Sequence, residues 1–457
     1  MKNKHVREEK ALRKMSVSPT QLITLVFLGL ILLGTALLSL PIASRSGTSC
    51  GFLPALFTAT SATCVTGLTL FDTYSQWTGF GQTVILLLIQ IGGLGFMSAA
   101  TLVTFLLRKR VGMKQRMVMA QALSVNDMDS VVKLQKMVLI GSFSIEAVGA
   151  LILTLRFLPQ YGLRQALIWG VFHSVSAFCN AGFDIFGGLQ LGSSLLGFQS
   201  DPVVLLTLGA LVILGGLGFV VWEEIIRLRH FKKFSVYTKL VLIMTAALLL
   251  GGTVLILLLE WNNPLTLGNL PVGDKILGGL FQSITTRTAG FAALDQAGLT
   301  EGGKGVSMML MLVGGSSGST AGGVKTVTVM VLLLFLWARA RGRENVTVFH
   351  RTIPAAQALN AMTIAGVVVC LSLFGSVLIC ATSPVSFTDA LYEAISALAT
   401  VGVTAGVTDK LSLVAKILMI IYMYFGRVGV LTISLGFLLG NQAEERFRYA
   451  HTNLLIG

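Results

Sequence analysis

The chain has 457 residues, 54% of them apolar and only 12% charged, with a mean hydropathy of +0.81. A soluble domain of this size needs far more charge to cover its surface, and the apolar runs are too long for barrel strands, so the composition implies a helical integral membrane protein. The formal charge of +14 does not point to nucleic acid: the basic residues cluster at 2–14, 108–116, 227–239 and 339–351, each beside a long apolar run. That is the positive-inside pattern of a multi-pass protein of the plasma membrane with its N- and C-termini in the cytoplasm.

After a cytoplasmic N-terminus (1–19), the first apolar run, 22–40, follows a basic stretch. It is too long for a signal-peptide core and lacks a small-x-small cleavage pattern, so it reads as a retained first span. It opens a first unit, 20–107, made of a span at 20–40, a short amphipathic piece at 52–63 and a long span at 82–107. The same sequence of outer helix, short segment and inner helix recurs three times. The second unit, 135–228, has 135–157, 167–179 and 203–226. The third, 237–338, has 237–259, 276–285 and 306–337. The fourth, 356–440, has 356–381, 388–399 and 412–439, and a cytoplasmic tail, 441–457, follows. The short middle pieces cannot cross a hydrocarbon layer of roughly 30 Å. They fit re-entrant helices that return as extended chain, which is tolerated at depth only inside protein or beside a water-filled cavity. The expected fold is all-α, with eight spans and four re-entrant pore helices around one central pore.

A glycine follows each re-entrant segment: Gly67, Gly182, Gly290 and Gly402. Ten residues earlier stands an aromatic in three repeats, Phe57, Phe172 and Tyr392, while the third has Leu280 with Phe281 beside it. Six residues earlier stand Ser61, Ser176 and Ser396, and the third again departs, with Ile284 and then Thr285. Each inner helix also carries a Gly-x-x-Gly: Gly92/Gly95, Gly215/Gly218, Gly315/Gly318 and Gly426/Gly429. Taken singly, such glycines are as well explained by close helix packing. Two motifs in the same order in four quarters mark an internal repeat.

The strings at the four glycines are Cys64-Val65-Thr66-Gly67, Cys179-Asn180-Ala181-Gly182, Arg287-Thr288-Ala289-Gly290 and Thr400-Val401-Gly402. None contains a carboxylate, which a divalent cation would recruit. The ligands on offer are backbone carbonyls, and rings of carbonyls replace the water shell of a monovalent cation. These residues are therefore read as a selectivity filter, with K⁺ as the transported ion. Arg287 is unexpected in a cation path; its guanidinium is expected to point away from the axis and bond carbonyls behind the filter.

The third inner helix contains Gly314-Gly315-Ser316-Ser317-Gly318-Ser319-Thr320-Ala321-Gly322-Gly323. With glycine costing about 1 kcal/mol each relative to alanine, it is expected to break there into a flexible intramembrane loop, in one repeat of the four. Where the first and second repeats have Gly93 and Gly216, the fourth has Arg427. An arginine inside an apolar span is costly and reads as functional by default. The loop and Arg427 together are read as a gate under the filter, although Arg427 reads equally as a fold-locking residue bonded to carbonyls.

Other features are blander. The five cysteines show no paired spacing, so no disulfide framework or zinc site is implied, and Cys64 and Cys179 read as small packing residues. The run Gly318 to Lys325-Thr326 imitates a phosphate loop, but Val324 interrupts it within a span. His173 reads as a packed polar residue. Glu146, Glu260 and Glu393 lie in or near spans; Glu393 is expected to hydrogen-bond behind the filter. No covalent or tightly bound cofactor is expected.

At these residues the chain resembles the Trk/Ktr/HKT superfamily of potassium transport proteins, most closely its Ktr-type membrane subunits. The likeness runs from about 21 to 440 and rests on the four glycines, the 314–323 loop and Arg427. It implies a homodimer with one pore per subunit and passage of K⁺ and Rb⁺. It implies a separate cytosolic nucleotide-binding ring of RCK/KtrA type. It further implies that glycine at position 67 goes with K⁺ selectivity, where plant relatives with serine favour Na⁺. The expected activity is K⁺ uptake through a gated pore. An H⁺- or Na⁺-coupled symporter is the alternative, with Glu146 and Glu393 as its candidate carboxylates. An intramembrane enzyme is the rival from another class, and the chain has no Ser/His, paired Asp or His/Glu metal constellation for it.

Overall fold

The computed structural model describes residues 19–95, 131–189, 192, 194–343 and 345–429. The basic loop expected at 108–116, the expected continuations of the first inner helix (96–107) and of the fourth (430–440), and 1–18 and 441–457, expected as the cytoplasmic ends, lie outside the described residues.

Thirteen α-helices, besides the single turn Thr73–Gln76, carry the architecture of the described residues. The first quarter holds α1 (Pro19–Leu38), α2 (Phe52–Thr63) and α3 (Gly79–Leu94). In the second, outer and re-entrant helices run together as α4 (Val131–Phe178), broken at Gly162, where φ is 73°. Only a residue tolerant of positive φ turns the chain so sharply without a loop. Next come α5 (Pro202–Leu217) and α6 (Phe219–Leu228). The third quarter has α7 (Val236–Glu260), α8 (Val272–Thr285), α9 (Glu301–Met311) and α10 (Thr326–Ala340), and the fourth α11 (Ala355–Thr382), α12 (Phe387–Leu398) and α13 (Leu413–Val428). A two-residue hairpin, β1 (Val346–Val348) with β2 (Arg351–Ile353), joins α10 to α11. Its turn residues Phe349 and His350 both have positive φ, as a hairpin turn of this length demands.

The outer helices α1, α7 and α11, and the long α4, are apolar enough to cross a membrane. Their outward faces are rows of exposed apolar residues, such as Leu250, Val254 and Leu258 on α7. Lipid is as apolar as leucine, so packing between helices and polar contacts inside must hold the bundle. In the first, third and fourth quarters the outer helix packs on the re-entrant helix, and in the second the two limbs of α4 meet, the Ser174 hydroxyl donating to the Glu146 carbonyl at 2.6 Å. The interior is accordingly rich in buried hydroxyls, including Thr58, Thr60, Ser61, Ser174, Ser176, Ser283, Thr285 and Ser396.

Each inner helix starts on a side-chain cap. Thr78, Asp201, Thr300 and Ser412 accept backbone N–H bonds from Gly81, Val203 and Val204, Gly303 and Ala415. Such caps are each worth about 1 kcal/mol. The Thr300 cap explains why the third inner helix begins at Glu301, five residues before the expected 306.

Continuous inner helices were expected everywhere but the third repeat, and the structure corrects this. In three repeats the helix stops at the second glycine of the Gly-x-x-Gly, Gly95, Gly218 and Gly429, with φ of 82°, 92° and 94°; in the third it already ends at Met311, and Gly318, with φ of 68°, lies in the loop beyond. Past Gly218 the chain turns by 94° into α6. The first glycine has another role in three repeats. A Cβ on Gly92, Gly215 or Gly426 would collide with the carbonyl oxygen of Thr63, Phe178 or Leu398, at the end of that repeat's own re-entrant helix. One glycine admits the re-entrant helix and the other ends the inner helix. Because inner elements are short pieces, only the four outer helices and the bent α5–α6 pair qualify as spans among the described residues. The expected count of eight is not established.

Candidate functional site

The four glycines after the re-entrant helices meet at the centre of the molecule. A Cβ on Gly67 would lie 2.6 Å from the Ala181 carbonyl oxygen, one on Gly182 2.7 Å from that of Ala289, and one on Gly290 2.8 Å from that of Val401. A Cβ on Gly402 would collide with the Thr66 carbonyl oxygen, which closes the ring in repeat order. Each glycine thus faces the carbonyl just before the next repeat's glycine. All four have φ between 69° and 98°.

Two residues before each glycine, Val65, Asn180, Thr288 and Thr400 also have positive φ, at 57°, 59°, 75° and 52°. This region costs a non-glycine residue on the order of 1–3 kcal/mol and is worst for β-branched ones. The residues between, Thr66, Ala181, Ala289 and Val401, have ordinary negative φ. In a regular strand successive peptides face opposite sides; alternating the hand of φ brings successive carbonyls to one side.

The N–H groups face the other way. Those of Thr66, Ala181 and Val401 donate to the carbonyls of Ser61, Ser176 and Ser396 at 2.8, 2.7 and 2.8 Å, and that of Ala289 to Thr285 at 2.9 Å. The hydroxyls of Ser61 and Ser396 accept from Gly67 and Gly402 N–H at 3.0 and 3.1 Å. Those of Ser176, Thr285 and Ser396 donate to the carbonyls of Phe183, Phe291 and Val403, each at 2.7 Å. Among the described residues no hydrogen bond reaches the carbonyls of Thr66, Ala181, Ala289 or Val401. Four unpaired buried carbonyls in one place are costly unless something polar meets them.

These bonds also correct the third repeat. Its helix hydroxyl, Thr285, stands five residues before the glycine where the others stand six, so one residue is missing there. With that shift Phe281 joins Phe57, Phe172 and Tyr392, all buried, and the departures at Leu280 and Ile284 disappear.

Arg287 does not do what its chemistry led us to expect. It is buried, yet among the described residues no bond from its guanidinium to a carbonyl is found, and its Nε lacks an acceptor. The Asn180 side chain lies against Thr288 of the next repeat at 3.1 Å, tying two quarters together.

The loop 314–323 lies directly under this ring. A Cβ on Gly322 would collide with the Thr400 hydroxyl, and one on Gly323 would lie 2.8 Å from the Ala399 carbonyl oxygen. Despite its composition the loop is pinned on several sides. Ser316 and Thr320 N–H donate to Gly216 and Gly215 carbonyls at 3.0 and 3.2 Å, and the Thr320 hydroxyl donates to the Phe178 carbonyl at 3.0 Å. Gly314 N–H donates to Val324 at 2.8 Å and Gly323 N–H to Gly426 at 3.3 Å. Arg427 donates to the carbonyl of Thr320 in the loop and to those of Gly92 and Gly93 at the end of α3. Lys325, dismissed in sequence as part of a false phosphate loop, donates to the Ala321 carbonyl at 2.8 Å.

The remaining polar residues hold the frame. Glu393 is buried and accepts from the Thr404 and Thr408 hydroxyls. Glu260 accepts from Asn263, Thr266 and both the N–H and hydroxyl of Thr300. Glu146 receives the Gln90 amide at 3.0 and 3.1 Å and lies 3.9 Å from Cys179 Sγ. His173 accepts Ile185 N–H at Nε2, so Nδ1–H donates to the Trp169 carbonyl. Its ring stacks on Phe186 at 3.8 Å, which leaves it a packing role. Missed in sequence was a part-buried pair, Lys304 on α9 with Asp389 in the first turn of α12, at 2.7 Å. Two charges 85 residues apart leave no local signal.

Residues 4–447 match the model of the TrkH family, described as cation transport proteins. The chain is 40% identical over 454 residues to the potassium/sodium uptake protein NtpJ of Enterococcus hirae, covering 98% of this chain and 99% of that one. It is 38% identical over 442 residues to the Ktr system potassium uptake protein B of Bacillus subtilis, with 97% and 98% covered. In fold it is similar to the crystal structure of the potassium transporter TrkH from Vibrio parahaemolyticus, with a TM-score of 0.71 at 18% identity over 93% of this chain and 86% of that one. Relatives that carry cations set the intramembrane-enzyme alternative aside. Match length and identity place this chain in the TrkH family of cation transport proteins.

Proposed function

We propose that the chain forms the membrane pore of a potassium uptake system. The observation that carries this is the closed ring in which each repeat's glycine faces the next repeat's unpaired carbonyl. Carbonyl dipoles without carboxylates suit a weakly hydrated monovalent cation, and K⁺ is the substrate that the Ktr-type relatives' names carry. Cys64 through Gly67, Cys179 through Gly182, Arg287 through Gly290 and Thr400 through Gly402 make up the filter. Among them Thr66, Ala181, Ala289 and Val401 present the carbonyls, and the −2 residues set their direction. The loop 314–323 is the gate, and Arg427 ties it to α3 and adds a positive charge to the path. The N- and C-termini face the cytoplasm and the working unit is a homodimer. A separate cytosolic nucleotide-binding ring moves the gate; the naming of relatives as parts of a Ktr system supports such a partner. No cofactor takes part.

A coupled symporter is the second reading. Glu146 favours it, because among the described residues this buried carboxylate receives an amide and a thiol but no hydroxyl, where Glu260 and Glu393 each receive two. Rb⁺ uptake into vesicles holding the purified protein, with and without an imposed proton or Na⁺ gradient, separates the two. Uptake driven by the Rb⁺ gradient alone supports the pore; a strict need for the second gradient supports the symporter.

A further inference from the structure

The crest of the 314–323 loop is fastened to a second element besides Arg427, the bend that joins α5 to α6 and α7. The chain bends by 94° at Gly218, runs along α6 and returns into α7, with the basic connection 229–235 between them. Ser316 fits the bend: a Cβ on Gly218 would collide with its hydroxyl, which donates to the Leu217 carbonyl. Phe219 N–H donates to the Gly318 carbonyl at 2.9 Å. From the first turn of α7 the Tyr237 hydroxyl donates to the Ser317 carbonyl at 3.0 Å. Three successive loop residues are thus held by one elbow. The elbow is itself braced by Glu224 on α6, which accepts from Ser235 N–H at 2.7 Å, from the Ser235 hydroxyl at 2.8 Å and from the Thr238 hydroxyl.

We propose that the α6–α7 elbow latches the loop crest, with Tyr237 as the positioning residue, so that displacement of the elbow at the cytoplasmic surface pulls the loop from beneath the glycine ring. Of the three crest bonds, the one from Tyr237 alone comes from a side chain outside the bend. It bridges the start of α7 and the loop across 80 residues of sequence. The bond holds only the arrangement in which the loop lies under the ring, so its loss shifts the balance toward the displaced loop. This inference rests on the reading of the loop as a gate.

The test is Rb⁺ uptake by vesicles containing the full chain without any partner, comparing the native protein, Tyr237→Phe, a deletion of 314–323 and the two changes combined. One lost hydrogen bond shifts a two-state balance by about two- to tenfold, so Tyr237→Phe is expected to raise basal uptake by that factor. On the deletion background it is expected to change nothing, whereas a merely structural role for Tyr237 lowers uptake on both. Faster amide hydrogen exchange at 316–320 in Tyr237→Phe is the expected companion signal. Unchanged or reduced uptake in Tyr237→Phe, with the deletion still raising it, overturns the latch alone. Unchanged uptake in the deletion overturns the gate, and the latch with it.

Discussion

Two levels of the molecule sit almost in contact and follow opposite rules. At the ring, four quarters contribute the same parts: a hydroxyl on the re-entrant helix, a positive-φ residue, a carbonyl and a glycine. Just below, at the second position of each Gly-x-x-Gly, the quarters contribute Gly93, Gly216, Ser316 and Arg427. Coordinating one small ion rewards equal ligands at equal distances. Opening and closing a path rewards one movable piece and one fixed charge, and four copies of either would obstruct it. On the proposed reading of the ring as filter and the loop as gate, the quarters are alike where they share one task and differ where a single actor suffices.

Breaking the symmetry of the ring has the largest expected effect. Gly402→Ala adds a Cβ that collides with the Thr66 carbonyl at a φ of 92°. Strain and crowding together amount to roughly 3 kcal/mol, so Rb⁺ uptake should fall about 100-fold in protein that still elutes as a folded species. At the lower level, Arg427→Gln removes a charged donor to three carbonyls. Bonds of that kind are worth about 1.5–3 kcal/mol, and basal uptake should rise by roughly tenfold or more. A fall in uptake, with the fold intact, would assign Arg427 to holding the bundle. Gly67→Ser is milder, since its Cβ would lie 2.6 Å from the Ala181 carbonyl oxygen, where a Cβ on Gly402 collides with that of Thr66 outright. It should admit Na⁺ as a competitor and lower the Rb⁺/Na⁺ preference severalfold in a competition assay. The smallest effect sharpens the comparison most. Removing the helix hydroxyls one at a time, by Ser61→Ala, Ser176→Ala, Thr285→Val and Ser396→Ala, should cost about 1 kcal/mol each in thermal stability, because each fastens its own repeat's strand to the re-entrant helix, Ser61 at the glycine N–H, Ser176 and Thr285 at a carbonyl beyond the glycine and Ser396 at both. A strongly unequal series would contradict the four-part symmetry.

The sequence carried the glycines, the re-entrant helices and the loop because these depend on residue type at fixed spacing. Phe52–Thr63 was legible to the residue. Other features were hidden for particular reasons. The breaks at Gly95, Gly218 and Gly429 are masked by flanking Leu, Ile and Phe, which read as unbroken helix. The missing residue in the third repeat made Leu280 and Ile284 look like substitutions, because the count started from Gly290 and not from Thr285. Positive φ at Val65 runs against every local preference of valine and is imposed by the surrounding ring. Tyr237 and the Lys304–Asp389 pair are contacts between distant segments, invisible to periodicity. The 314–323 loop was read as flexible from its glycines. The structure instead holds it by bonds its neighbours supply, from Gly215, Gly216, Tyr237, Gly426 and Arg427.

The ring can be tested by diffraction from crystals grown with Rb⁺ or Tl⁺, using anomalous scattering to locate the ion. The account predicts density on the central axis, within coordinating distance of the Thr66, Ala181, Ala289 and Val401 carbonyls. An axis empty of signal, with those carbonyls turned toward the re-entrant helices, would contradict it.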